Sequence, residues 1–213
     1  TPFYDRYKFD VVRQEAGMQT ELLPTEEDTY KMLKLTQVVL AKAGYGRYEI
    51  SNYAKPGYEC RHNIGYWTRE NYLGLGLGAA SLVDNVRYSN TRELDEYTAI
   101  CHDLTILPPE AFAPEDGMAA PERNWFGSNL HTEASVVSRK SQMEEFMFLG
   151  LRMTDGIARD EFEHNFGMPI EAAYVQVLPE LQAQGLIEKR EGRIYLTDRG
   201  MDVANYVMAQ FLL

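Results

Sequence analysis

The spacing of apolar residues changes rhythm several times along the chain, and each change marks an element. After a lead-in over residues 1 to 23 with no sustained period, Thr25 stands as an N-cap with Glu26, Glu27 and Asp28 in the first turn, where carboxylates meet the positive end of a helix dipole. Tyr30, Leu33, Gln37 and Leu40 follow one line of that helix, Met32, Leu35, Val38 and Val39 widen its apolar arc, and Gly44 ends it. A short strand is predicted at Tyr48-Glu49-Ile50, then a polar, turn-rich stretch from Ser51 to Gly65 around Pro56-Gly57. The pattern then switches to period two. From Tyr72 to Val83 we expect a strand with Leu73, Leu75 and Leu77 on one face and Gly74, Gly76 and Gly78 baring the other. Three such glycines fit a close approach by another backbone, by a flat ligand, or by a helix packed on the sheet.

Tyr97, Ile100 and Leu104 predict a helix from about 91 to 104, and the prolines at 108, 109, 114 and 121 make residues 105–140 read as a linker or irregular insertion. Beyond Ser141 the rhythm sharpens. Phe146, Leu149 and Met153 mark a helix, Asp160 to Phe166 a second and Ile170 to Gln184 a third that closes at Gly185. Residues 186–190 and 193–196 flank the turn signal Glu191-Gly192 as a hairpin, and Thr197-Asp198 caps a last helix to about Leu212. Three helices, a β-wing and a closing helix make residues 141–213 a winged-helix-like module.

Composition narrows what such a chain can do. No apolar run approaches the roughly 20 residues that span a bilayer, and no signal peptide is visible, so a cytoplasmic protein is expected, with membrane contact at most transient. The formal charge of −11 argues against nucleic acid as a partner. The same holds for the winged-helix-like module, whose six cations face twelve acids, and we read it as a lid or partner surface. Two cysteines, Cys60 and Cys101, cannot supply the usual four ligands of an iron–sulfur cluster. Cys60 with His62 and Cys101 with His102 lack zinc-finger spacing. Gly74, Gly76 and Ala79 match a dinucleotide fingerprint only formally, because no helix opens after them. The chain starts at Thr1 without a Met, as a fragment or a processed chain would.

One segment carries chemistry that these exclusions leave standing. His62-Asn63-Ile64-Gly65-Tyr66-Trp67 sets an imidazole able to bind iron beside two rings able to stack on a flat ligand, with the glycine-rich stretch close behind. That combination points to a planar ligand.

Here the sequence resembles the HemW-type haem chaperones, relatives of oxygen-independent coproporphyrinogen III oxidase in the radical S-adenosylmethionine superfamily. The resemblance rests on Thr1 to Tyr4, Leu23-Pro24, Tyr48 to Asn52, Ala54 to Gly57, Cys60 to Asn63, Tyr66-Trp67 and Tyr72 to Ser81, and in the C-terminal part on Glu145 to Arg152 and Leu196 to Gly200. It implies an α/β fold: the C-terminal part of a partial (β/α)6 radical SAM barrel over residues 1–104, the 105–140 segment, and a winged-helix-like HemN C-terminal domain over 141–213. The family's Cys-x-x-x-Cys-x-x-Cys motif is not in this chain, so the 4Fe-4S cluster and S-adenosylmethionine are expected only in a full-length protein.

The resemblance also implies site residues. His62, Asn63, Tyr66 and Trp67 fit the chaperone branch's haem-binding pattern, with His62 the candidate ligand to haem iron. The oxidase branch carries a cofactor-holding Gln where this chain has Gly65. Ala80 falls where the oxidase lines its S-adenosylmethionine pocket and is carried over as a cofactor contact. The implied function is binding haem or a porphyrin and passing haem to an acceptor protein. Two alternatives stay open: oxidative decarboxylation of coproporphyrinogen III by the full-length protein, and a non-catalytic winged-helix interaction module.

Overall fold

The computed structural model describes residues 24–104 and 130–213, and its contacts divide the chain into two compact units. The expectations for the lead-in before residue 24 and for 105–129 lie outside the described residues.

The first unit takes in the chain up to Arg47 and returns for Ser51–Glu59. Its helix α1 runs from Glu26 to Lys42 and begins as its acidic first turn predicts, with the Thr25 hydroxyl accepting the Asp28 amide at 3.1 Å. Gly44 follows at φ +80°, a left-handed conformation that a side chain resists. The short strands β1 (Gly46–Arg47) and β2 (Tyr53–Ala54) then pair antiparallel. None of the residues of α1 is buried, and Leu35, Val38 and Val39 leave its apolar arc exposed.

The second unit holds Tyr48–Ile50 and everything from Cys60 onward. Tyr48–Ile50 is no strand of its own sheet: Glu49 bridges Met153, and the Ile50 amide donates to the Arg152 carbonyl. Helix α2 covers Arg61–Trp67, where turns were expected. Gly65 sits inside it and hides it from propensity, so the packing of its inner face carries the helix. The expected strand from Tyr72 to Val83 is also corrected. Gly76 at φ +105° and Gly78 at φ +66° turn the chain back on itself, so Tyr72 bridges Leu82 and only Ala80–Val83 forms strand β3. A methyl group at Gly74 would overlap the Ala80 carbonyl oxygen, so the approaching backbone is the chain's own.

β3 pairs antiparallel with β4 (Val86–Asn90), and β4 with β5 (His131–Val136). β5 is regular structure inside the segment expected to be irregular. Helix α3 (Leu94–Leu104) leads away from this sheet, and α4 (Arg139–Gly150) begins the C-terminal part, N-capped by Ser138.

There β6 (Ile157–Ala158), α5 (Arg159–Phe166), α6 (Ile170–Ala173), α7 (Val177–Ala183), β7 (Ile187–Arg190), β8 (Arg193–Leu196), α8 (Asp198–Asp202) and α9 (Ala204–Ala209) follow in order. β8 lies between β6 and β7 in a small antiparallel sheet, the wing. A single helix over 170–184 would place Pro179 in its interior; the break before Val177 moves that proline into a first turn, where its missing N–H costs nothing. The last helix is likewise two pieces, parted at Val203 with φ −122°. Phe146, Phe162, Phe166, Tyr174 and Phe211 interlock edge to face at the centre of the core.

Candidate functional site

Two turns of helix decide where the motif residues go. Positions four apart share a helix face, so α2 sends His62 and Tyr66 to one side and Asn63 and Trp67 to another. The outer face is open to solvent. His62 is exposed and Tyr66 is 37% exposed, their rings meeting edge to face at 4.7 Å. The next ring is Tyr72, edge-on to Tyr66 at 4.5 Å. An imidazole at the end of a row of three rings can offer a nitrogen to a metal while the phenols flank a flat ligand.

The inner face is held by the C-terminal part of the unit. The Arg152 guanidinium lies over the Trp67 ring, 4.2 Å from its centre, and pairs with the fully buried Glu49 carboxylate at 3.2 Å. Asn63 donates its amide to the Tyr48 hydroxyl at 3.5 Å. Trp67 therefore packs away from His62, and with Leu149, Met208 and Leu212 it borders an apolar groove of about 360 Å³. Ala80 lies on a different element. It opens β3, is exposed, and its carbonyl oxygen lies against Gly74.

A second network ties the end of α2 to α4. Glu145 is buried, with one oxygen accepting Arg69 Nε and the other Arg87 Nη1, both at 2.8 Å. Burial by itself would raise this carboxyl, but the hydrogen bonds and charges of Arg87 and Arg69 outweigh it and hold the group below the ordinary carboxylate value. Arg87 answers in kind. Its hydrogen bond to Glu145 raises it above the usual guanidinium value, with the Tyr72 hydroxyl also adjoining it. Register explains that neighbourhood: Tyr72 bridges Leu82 and Leu82 pairs with Arg87, so both long side chains rise from one row of the sheet. Arg69 completes the network through Asn85 Oδ1 at 3.1 Å.

The glycine turn is fixed from below. Asn90 Nδ2 donates to the Gly74 and Gly76 carbonyls, which leaves its oxygen facing His131 Nδ1 at 3.1 Å. His131 therefore carries its proton on Nδ1 in this arrangement. Burial pulls its pKa below the ordinary histidine value.

Sequence reasoning gave Arg69, Arg87 and Glu145 no part in a site. The signal was available in Glu145, a carboxylate among Met143, Phe146 and Met147 on the buried face of a helix, because a charge there demands cationic partners. An iron–sulfur cluster does not fit the residues present. Cys60 and Cys101 are both free thiols, and no group of three or more His, Cys, Asp or Glu side chains converges among the described residues.

Comparison with known proteins matches this architecture. Residues 137–203 match the HemN C-terminal domain. The heme chaperone HemW of Escherichia coli (strain K12) is 41% identical over 196 residues, 92% of this chain and 46% of that protein. The heme chaperone HemW of Lactococcus lactis subsp. lactis (strain IL1403) is 35% identical over 201 residues, 94% and 46% respectively. The chain thus spans about half the length of these relatives. Among solved structures, the coproporphyrinogen III oxidase HemN from Escherichia coli, a radical SAM enzyme, superposes with a TM-score of 0.62 over 92% of this chain and 43% of that one. At 16% identity that likeness speaks for the fold alone. In sequence, then, the chain is similar to proteins named heme chaperone HemW, its α/β fold is like that of HemN, and its C-terminal part matches the HemN C-terminal domain.

Proposed function

We propose that this chain binds haem through the outer face of α2 and serves its transfer to an acceptor protein. One observation carries the reading: His62, exposed, shares a helix face with Tyr66, with Tyr72 continuing the row of rings. A neutral imidazole there can ligate iron, and exposed phenol edges can flank a porphyrin without enclosing it. Openness suits a carrier, because a ligand that must be handed on cannot be sealed in a closed pocket. The relatives named heme chaperone HemW support the same reading.

In this reading Asn63 and Trp67 act from behind. Asn63 meets Tyr48, and Trp67 is clamped by Arg152, so the face bearing His62 is held in place. A full-length protein would add a 4Fe-4S cluster and S-adenosylmethionine, to which Ala80 is carried over as a contact. The residues of this chain supply no cluster ligand set, and no step is assigned to them there. For the oxidase alternative, Gly65 faces Glu70 and offers no side chain to hold a cofactor.

The test is a titration of the chain with haem followed through its main absorbance band. His62→Ala is expected to shift the band and weaken binding by about ten-fold or more, the effect of losing one strong ligand interaction. An unchanged spectrum and affinity would remove His62 from the site.

A further inference from the structure

Glu145 gathers two guanidinium groups on one carboxylate, so the network carries one positive charge more than it neutralises. No other ion pair reaches Arg69 or Arg87 among the described residues. The two cations differ in where they sit. The Arg69 side chain is 10% exposed, whereas Arg87 is 42% exposed. The surplus charge thus reaches solvent at Arg87, in a chain whose formal net charge is −11.

The location is as informative as the charge. Tyr72 and Arg87 rise from one row of the sheet, on either side of Leu82. Tyr72 is also the last ring of the row that starts at His62, two steps of 4.7 and 4.5 Å away. An imidazole at one end, phenol edges along the middle and a guanidinium at the other end repeat the chemistry of a metalloporphyrin: a metal centre, a flat ring and ionised carboxylate tails.

We propose that Arg87, seconded by the Tyr72 hydroxyl, binds a carboxylate tail of the porphyrin whose iron is ligated by His62. This rests on the haem-binding reading above and adds to it a selection for porphyrins that carry free carboxylates. Arg87 gives Nη1 to Glu145 and retains other N–H donors for the ligand. Glu145 holds the guanidinium in place, and the Arg69 contact spreads that carboxylate's charge so that it does not cancel Arg87.

The experiment compares haem with haem dimethyl ester, in which both tails are esterified, by absorbance titration of the full chain. The unaltered chain should bind haem about ten-fold tighter than the ester, the worth of one hydrogen bond to a charged group. Arg87→Gln should weaken haem by that factor and leave the ester unchanged, while Arg87→Lys, which keeps the charge, should retain part of the preference. Equal binding of haem and ester by the unaltered chain, or a preference that survives Arg87→Gln, overturns the proposal. The first comparison alters only the ligand, so it stands even where a variant folds poorly. Ester and haem bound equally, with the band still sensitive to His62→Ala, would sink the carboxylate site alone. Binding of neither sinks the haem reading with it.

Discussion

Tyr174 shows how a single residue can be set against the stability of its surroundings. Its ring is buried among Phe162 and Phe211, yet its hydroxyl meets no hydrogen-bond partner among the described residues. Burial, aided by the Glu144 carboxylate, pushes the phenol well above its ordinary pKa. A buried hydroxyl without a partner keeps its desolvation cost, so Tyr174→Phe is expected to raise stability by about 1 kcal/mol in a urea titration. Sequence patterning places Tyr174 inside an expected helix over 170–184, where the observed helix ends at Ala173, and says nothing about its oxygen. The motif residues were legible in the same partial way. The types and spacing of His62, Asn63, Tyr66 and Trp67 are plain in the sequence, whereas the division into an outward and an inward pair follows only once the segment is known to be helical.

At the scale of elements, the glycine-rich stretch is the instructive case. Period two in Leu73, Leu75 and Leu77 predicts a strand, but Gly74, Gly76 and Gly78 are there for a turn, pinned by Asn90 to the carbonyls of Gly74 and Gly76. Gly74→Ala would drive its methyl group into the Ala80 carbonyl and is expected to cost about 1–3 kcal/mol, read as a lower midpoint in thermal or urea unfolding. The wing and the capped helices were readable because their signals are local: Thr25 and Thr197 each accept a backbone amide of the turn that they precede. β5 and α2 were not, because β5 exists through its pairing with β4 and α2 through what Trp67 and Asn63 touch, and both partners lie far off in sequence.

At the scale of the whole molecule, acidity should act through Glu145. Its carboxyl in the folded chain lies below the ordinary value of 4.5, so the ionised form is the one that the fold prefers. The stabilisation is therefore complete above about pH 4.5 and drains away as pH falls through the lower folded value. Glu145→Gln is expected to remove that acid sensitivity and to cost about 2–3 kcal/mol near neutral pH. This is less than a fully buried pair would lose, since Arg87 is 42% exposed. Denaturant midpoints measured from pH 7 down to 3 would show both effects. Through Glu145, α4 is also bonded to Arg87 of β4 and to Arg69 just beyond α2.

The three residues Tyr48–Ile50 have a consequence for anyone who would cut this chain. They belong to the second unit while the residues on either side belong to the first, so the backbone crosses between the units three times before Cys60. A fragment begun at Cys60 would retain every motif residue from His62 to Trp67. It would also strip Glu49 from Arg152 and Tyr48 from Asn63, loosening the back of α2. Deletion mapping would then report a lost ligand site where only its support had gone, and an insertion or circular permutation that leaves Tyr48–Ile50 threaded in place would give the truer boundary.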